Sequence, residues 1–265
     1  MNFKIDNKTN VNNKVKNTKH TNNCYNINDS RYISNDNIKT VNGIKIIYED
    51  NHLLVVEKPV NILSQGDITG DKDLLTILKE DIKVRYNKPG NVYLGLVHRL
   101  DRPVGGVMVF AKTSKAASRL SEQIRNGEFT KEYLAVVHGR PIPEEGCLIH
   151  YLMKDEKTNI VKVLTDNNGN LGRKAVLDYY VITSIGKLSL VHINLITGRN
   201  HQIRTQFSEI GNPLFGDQKY GAQYNKIGQQ IALWSYKIKI KHPVSKCEMC
   251  FQSNPPDEYP WNFLH

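Results

Sequence analysis

The sequence predicts an α+β protein with a mostly antiparallel, mixed sheet in two halves, flanking helices and a central cleft. Between residues 130 and 196, short apolar or alternating segments follow one another with only brief turn-forming stretches between them. Helical periodicity occurs in only three places. Strands joined by short connections pair antiparallel, so many strands and few helices favour this class over an alternating α/β fold.

The elements follow in order from periodicity and turn signals. Alternating or β-branched apolar residues predict strands at Ile44–Tyr48, His52–Glu57, Leu94–Val97, Val107–Ala111, Thr130–Val137, His150–Met153, Ile160–Leu164, Ala175–Thr183, Leu188–Ile196 and Gln230–His242. Apolar residues at helical spacing predict helices at Leu74–Val84, Ser114–Asn126 and His201–Ile210. In the second helix Ser114 is the expected N-cap and Gly127 the expected C′ residue. The end of the chain should be a surface tail, anchored by Trp261 or Phe263.

Composition divides the chain into a tail and a body. Only 39% of the 265 residues are apolar, and residues 1–42 are dominated by Asn, Lys, Thr and Asp. Such a segment buries too little surface to offset the entropy of ordering, so we predict that residues 1–42 are disordered and that residues 43–265 form one domain. The tail has seven basic and three acidic side chains, which leaves +6 of the net charge of +10 on the body. A basic body favours a polyanionic partner.

Leu94 to Lys112 is the most informative stretch of the chain. It joins two strand-like runs through the tetrapeptide HRLD and a Pro-Val-Gly-Gly bend, which puts Asp101 on a loop where two strands meet. A loop of this kind suits a side chain that must reach a substrate. From the residues alone, Asp101 could also be an ordinary loop aspartate that caps or pairs locally.

The cysteines do not indicate a disulfide framework or a metal site. Cys247 and Cys250 form a CxxC, but no second Cys or His pair stands nearby to complete four zinc ligands, so we interpret them as strand residues. We expect no metal. No apolar run approaches membrane-spanning length and no signal-peptide core is present, so we expect a cytoplasmic protein.

Three ordered motifs resemble those of the RluA-type RNA pseudouridine synthases. They are HRLD with its glycine bend, the segment KEYLAVVHG beginning at Lys131, and ITGRNHQIR beginning at Ile196 with GDQKYG beginning at Gly216. The resemblance runs from about residue 44 to the C-terminus and implies the pseudouridine synthase catalytic fold. It implies an isomerase that converts uridine to pseudouridine in structured RNA without a cofactor. Some larger relatives carry an S4 domain, which the tail gives no sign of.

The resemblance also implies the site residues. Asp101 is expected to be the catalytic carboxylate, and Tyr133 to stack on the base or to take part in proton transfer. A carboxylate in a dry pocket tends to take up a proton, so a cation should hold it ionised, and the matching residue is Arg204. We expect RNA contacts from basic residues at three further positions: Arg99, Lys112 and Arg199. The motif histidines His98 and His201 are interpreted as structural.

Three other classes of protein share single features with this sequence. A non-catalytic RNA-binding or RNA-chaperone protein on the same fold would lack the carboxylate, whereas Asp101 is present. A protein kinase would need a glycine-rich loop with a strand lysine and a D-F-G, which do not follow HRLD. A glycoside hydrolase would need an acidic partner for Asp101, whereas the companion motif offers arginines, so both classes are rejected. Large-subunit ribosomal RNA is the leading substrate and transfer RNA the second, and we expect a monomer. Asn200, Asn212 and the Arg102-Pro103-Val104 sequence depart from the usual motifs, which affects substrate choice more than activity.

Overall fold

A computed structural model describes residues 24–26, 40–164 and 171–262. Its three helices are α1 (Leu74–Arg85), α2 (Ser114–Arg125) and α3 (Gln202–Glu209). Its strands are β1 (Cys24–Asn26), β2 (Thr40–Val41), β3 (Ile44–Glu49), β4 (Leu53–Lys58), β5 (Gly95–Leu96), β6 (Gly105–Ala111), β7 (Thr130–His138), β8 (Glu145–Asp155), β9 (Ile160–Val163), β10 (Arg173–Ile185), β11 (Leu188–Leu195), β12 (Leu233–Lys241) and β13 (Glu248–Gln252).

The strands form a single mixed sheet. Its main path runs β2-β3-β4-β6-β12-β7-β11-β10-β8-β9, with β5 beside β6, β13 beside β12, and β1 beside β13. Among the described strands only two pairs are parallel, β6 with β12 and β1 with β13. The predicted α+β class and mostly antiparallel sheet are therefore confirmed.

The parallel contact between β6 and β12 joins the two halves of the sheet. Gly105 pairs with Trp234, and Gly106 pairs with Ser235. A β-carbon at Gly105 would lie 2.3 Å from the indole ring of Trp234, and one at Gly106, where φ is +111°, would lie 2.3 Å from the backbone oxygen of Ser235. Only glycine fits both places, so the glycine bend allows the two halves to meet.

Strand β6 is buried along its whole length because it is covered on both faces. Met108 and Phe110 belong to one hydrophobic cluster, and Val107, Val109 and Ala111 belong to another. Alternate side chains of a strand point to opposite faces, so the continuous apolar run reflects a strand between two cores.

The helix ends differ slightly from the prediction. The N-cap of α2 is Thr113 rather than Ser114, and its side chain accepts a hydrogen bond from the Ala116 amide at 3.1 Å. Gly127 has φ +72° and follows the C-cap, as expected for a C′ glycine. Strand β5 is only two residues long, although four were predicted.

Two short strands lie within residues 1–42, the segment predicted to be a disordered tail. Strand β1 pairs with β13, and β2 pairs with β3, so the sheet begins before residue 43. Residues 1–23 and 27–39 lie outside the described part, and the disorder prediction for them stays a prediction. At the other end Trp261 is 6% exposed and anchors the chain, while Phe263 lies outside the described part.

No helix in the described residues is long and apolar enough to cross a membrane. The same residues contain no group of three or more His, Cys, Asp or Glu side chains arranged to hold a metal ion. Cys250 lies in β13, as interpreted from the sequence, whereas Cys247 directly precedes this strand.

Candidate active site

Asp101 lies in the turn that leads into β6, and two buried polar side chains hold this turn. The Val104 amide donates to the Asp101 carbonyl at 3.0 Å and closes the turn. The Ser64 hydroxyl donates to the Leu100 carbonyl at 2.7 Å and accepts from the Leu100 amide at 3.1 Å. The backbone on both sides of Asp101 is therefore fixed.

Lys58 also holds this turn in place. Its side chain is fully buried, and its ammonium donates to the carbonyls of Pro59 (2.9 Å), Arg102 (3.1 Å) and Val104 (2.7 Å). Burial lowers the pKa of Lys58 to about 7, although the negative charge of Asp101 opposes the shift. Sequence reasoning missed Lys58, because a lysine between an apolar strand and a proline resembles an exposed strand end.

Arg204 connects Asp101 to a second carboxylate. Its Nη1 donates to Asp101 Oδ2 at 3.0 Å, while Nε and Nη2 donate to the two oxygens of Asp217 at 2.8 Å each. The predicted pairing of Arg204 with Asp101 is thus present. Burial alone would lower the pKa of Arg204, but the bonds and charges of Asp217 and Asp101 outweigh it and raise the pKa, so the guanidinium stays charged.

The burial of this group differs from the prediction in one respect. The side chain of Asp101 is 30% exposed, whereas those of Arg204 and Asp217 are 9% and 0% exposed. The predicted dry pocket therefore encloses the arginine and its anchor more than the Asp101 carboxylate, which stays open to an incoming group.

Asp217 is fixed by the backbone that follows it. Its Oδ1 accepts hydrogen bonds from the amides of Lys219 (3.0 Å) and Tyr220 (3.2 Å). The preceding Gly216 has φ +78°, and a β-carbon there would lie 2.0 Å from the Gln230 carbonyl oxygen. The motif GDQKYG signals this turn, but the sequence alone did not show that Asp217 would bind Arg204.

Tyr133 lies on β7 and lines the same cavity as Asp101 and Arg204. It is 5% exposed. Burial and the charge of Asp101 raise its pKa, and the hydrogen bond with Ser235 offsets only part of this shift. Tyr133 therefore keeps its phenolic proton at neutral pH, as a hydroxyl on an aromatic ring beside the carboxylate.

His201 is closer to the carboxylate than its structural interpretation implied. It precedes α3 in the left-handed region, with φ +50°, and its Nε2 lies 3.9 Å from Asp101 Oδ2. Its Nδ1 lies 2.6 Å from the Tyr220 hydroxyl, whose ring also lies 5.2 Å from the Arg204 guanidinium.

The structure places two of the three predicted RNA-binding residues at the cavity and the third away from it. Arg99 and Arg199 line the cavity, and Arg99 donates to the Asn200 side chain at 3.0 Å. Lys112 does not line it. It follows β6 at the end remote from the glycine bend, which keeps it away from the cavity. Its ammonium is paired with Glu49 at 2.8 Å, and its side chain is only 13% exposed.

One cavity of about 850 Å³ is lined by Asp101, Tyr133, His201 and Arg204 among other residues. Its described lining contains a single acidic residue, Asp101, and the following basic residues: Arg99, Arg125, Lys131, Arg199 and Arg204. A cleft lined mostly by one sign of charge attracts a ligand of the opposite sign. The fold and the site together define a largely basic cavity with one accessible carboxylate, suited to a negatively charged ligand.

Comparison with known proteins identifies the family. A sequence profile described as RNA pseudouridylate synthase matches residues 52–209. The chain belongs to this family, so the expected isomerase is confirmed over the kinase and the glycoside hydrolase. Two solved human structures, RNA pseudouridylate synthase domain containing 4 and domain containing 1, share its fold with TM-scores of 0.66 and 0.64 at 23% and 22% identity. They cover 80% and 84% of this chain, and 88% and 87% of their own.

Bacterial relatives are more similar in sequence. RNA pseudouridine synthase YjbO of Bacillus subtilis is 34% identical over 216 residues, which are 81% of this chain and 74% of the relative. Ribosomal large subunit pseudouridine synthase C of Rickettsia bellii is 34% identical over 183 residues, 66% of this chain and 56% of the relative. Ribosomal large subunit pseudouridine synthase D of Zymomonas mobilis is 30% identical over 227 residues, which are 81% of this chain and 70% of the relative.

Proposed function

We propose that this protein converts specific uridines of large-subunit ribosomal RNA to pseudouridine, with Asp101 as the catalytic carboxylate. The observation that carries the proposal is the chain of contacts from Asp101 through Arg204 to the buried Asp217, in a cavity whose other charged residues are basic. The names of the Rickettsia and Zymomonas relatives support ribosomal RNA as the substrate.

The reaction breaks the C1′–N1 bond of uridine and joins C1′ to C5, while the proton on C5 is lost and N1 gains one. It is therefore an isomerisation, balanced without an external group. An ionised Asp101 can act in two ways, by attacking C1′ or by removing a ribose proton to form a glycal. In either route the partly exposed carboxylate must reach the sugar while Arg204 holds its Oδ2.

The neighbouring residues supply binding and proton transfer. Tyr133 can stack on the uracil, and its hydroxyl can donate or relay a proton near the reacting atoms. Arg99 and Arg199 contact the RNA at the cavity mouth, where they help to offset the few kcal/mol that extruding a nucleotide costs. We do not assign Lys112 to the RNA, because Glu49 already neutralises it.

Pseudouridine mapping of cellular RNA tests the proposal. Cells with the native gene, a deletion, the Asp101→Asn variant and the Asp71→Asn variant would be compared, since Asp71 is a half-exposed aspartate that also pairs with an arginine. We expect one or more large-subunit sites to disappear in the deletion and with Asp101→Asn, and to persist with Asp71→Asn. Loss only from transfer RNA would contradict the substrate, and a site retained with Asp101→Asn would contradict the catalytic carboxylate.

A further inference from the structure

Lys131 is a buried cation whose ammonium has no partner among the residues that the structure describes. It is 8% exposed and lines the cavity that holds Asp101 and Tyr133. Its ammonium takes part in none of the hydrogen bonds or ion pairs found within the described residues. The other buried cations of the site differ, since Lys58 binds three carbonyls and Arg204 binds two carboxylates. Buried charges normally have partners, so Lys131 requires an explanation.

The carboxylate next to Lys131 in sequence is turned away from it. Neighbouring residues of a strand point to opposite faces, and Glu132 lies on the reverse face of β7. There Glu132 is bound by His192 at 3.1 Å and by Lys239 at 3.0 Å. On the cavity face the only described carboxylate is that of Asp101, which Arg204 holds.

The surroundings leave the ammonium open to the cavity. A β-carbon at Gly198 would lie 3.3 Å from Lys131 Nζ, so the absence of a side chain there leaves the charge uncovered. Burial and the charge of Lys131 lower the pKa of His98 to about 3, so that neighbour is neutral. Burial also lowers the pKa of Lys131 itself, which an anion bound beside it would reverse.

We propose that Lys131 binds a phosphodiester group of the RNA, belonging to the target nucleotide or to its immediate neighbour. This inference rests on the proposed function, because it requires RNA in this cavity. A phosphate carries a full negative charge that can pair with the buried ammonium. A uracil carbonyl carries no full charge. Lys131 and Tyr133 are two residues apart on one strand, about 7 Å, so base and phosphate contacts can form together.

Binding measurements in the Asp101→Asn background test the proposal without turnover. The probe is a hairpin of large-subunit RNA containing the uridine found by mapping, titrated at several salt concentrations. Lys131→Met should weaken binding about tenfold and make the slope of log affinity against log salt shallower by about one. Gly198→Ala, which narrows access to the ammonium, should weaken binding less.

Lys241→Met is the matched control. Lys241 lies on β12 two residues beyond Lys239, on the face of Glu132, and pairs with Glu128 at 3.4 Å. We expect it to leave affinity and salt slope unchanged. Lys131→Met should melt at the same or a higher temperature than its parent, because it removes an unpaired buried charge.

Replacing one phosphodiester of the RNA by a neutral linkage shows which phosphate Lys131 binds, and it leaves the protein itself unchanged. Hairpins with one methylphosphonate on the 5′ or the 3′ side of the uridine are bound to the protein that retains Lys131. One of the two should bind about tenfold more weakly, and Lys131→Met should be insensitive to that same linkage. Equal binding of both hairpins, or an unchanged salt slope with Lys131→Met, would overturn the inference. The proposed function fails separately, when the native enzyme makes no pseudouridine in RNA that it binds.

Discussion

Arg204 has two carboxylate partners, and they differ in what they contribute. Asp101 is partly exposed and faces the cavity, while Asp217 is fully buried and receives two of the arginine's hydrogen bonds. A guanidinium held by a bidentate pair has a fixed orientation, so its remaining N–H is directed at a fixed point. Asp217 therefore positions Arg204, and Arg204 positions Asp101.

Asp217→Asn should consequently reduce both stability and rate. Removing one partner of a buried ion pair costs about 3–5 kcal/mol of unfolding free energy. A displaced guanidinium would also misplace the Asp101 carboxylate, for which we expect a loss of about 100-fold in the single-turnover rate. Urea unfolding and single-turnover assays of the purified variant measure the two effects.

The control is a second aspartate–arginine pair on the surface. Asp71 and Arg102 lie 2.7 Å apart with side chains 50% and 47% exposed, so Asp71→Asn should cost less than about 1 kcal/mol. Equal stability losses in the two variants would show that burial of Asp217 does not matter.

At the scale of elements, the sequence was most informative where local signals and burial agree. The run Val107–Ala111 was predicted as a strand because β-branched residues and a glycine bend mark it, and it lies in β6. The cap of α2 moved by one residue because Thr113 and Ser114 are both good N-caps and only the backbone geometry decides between them. Two-residue strands such as β5 carry too few residues to show a period.

Gly106→Ala tests whether the glycine bend holds the two halves together. The new β-carbon would meet the Ser235 backbone at 2.3 Å, at a φ of +111° that alanine avoids. We expect a loss of about 2–3 kcal/mol in unfolding free energy and a lower single-turnover rate, because the Asp101 turn would shift with β6.

Gly127→Ala provides the comparison for this variant. Gly127 also has a positive φ, +72°, but no atom lies within 4 Å of its added β-carbon. The cost there should be about 1 kcal/mol, from the backbone conformation alone, with an unchanged rate. A Gly106→Ala variant that loses no more than this would show that the close approach to Ser235 is unimportant.

At the scale of the whole molecule, the sequence predicted the strands better than their order. The contact that joins the halves pairs Gly105 with Trp234, far apart in the chain, and no local signal specifies such a partner. The same limit applies to the site. The motifs predicted Asp101, Tyr133 and Arg204 together, but the burial of Lys58 and Lys131 and the second carboxylate Asp217 depend on packing from distant segments.

The stability of the whole protein should depend on pH through His98. Nε2 of His98 accepts a hydrogen bond from the Val109 amide at 2.9 Å. Burial together with the charge of Lys131 lowers the pKa of His98 to about 3, against 6.5 for the free side chain. Between these values the unfolded chain binds a proton that the folded protein does not, so stability falls as pH falls from 6.5 towards 3. Lowering the pH from 6.5 to 4.5 should remove about 2 kcal/mol through this residue alone.

Urea unfolding of the native protein and the His98→Gln variant at several pH values measures the pH-dependent stability that His98 contributes. Glutamine does not titrate, and its carbonyl can accept the same amide, so the variant should lose about 2 kcal/mol less than the native protein over that range. His150 and His201 also have lowered pKa values and act in the same direction, but they are common to both proteins and cancel in the difference. Glu132, with a pKa lowered to about 2 by His192, contributes mainly below pH 4.5. Parallel curves for the two proteins between pH 6.5 and 4.5 would show that His98 takes up a proton as readily in the folded protein as in the unfolded chain.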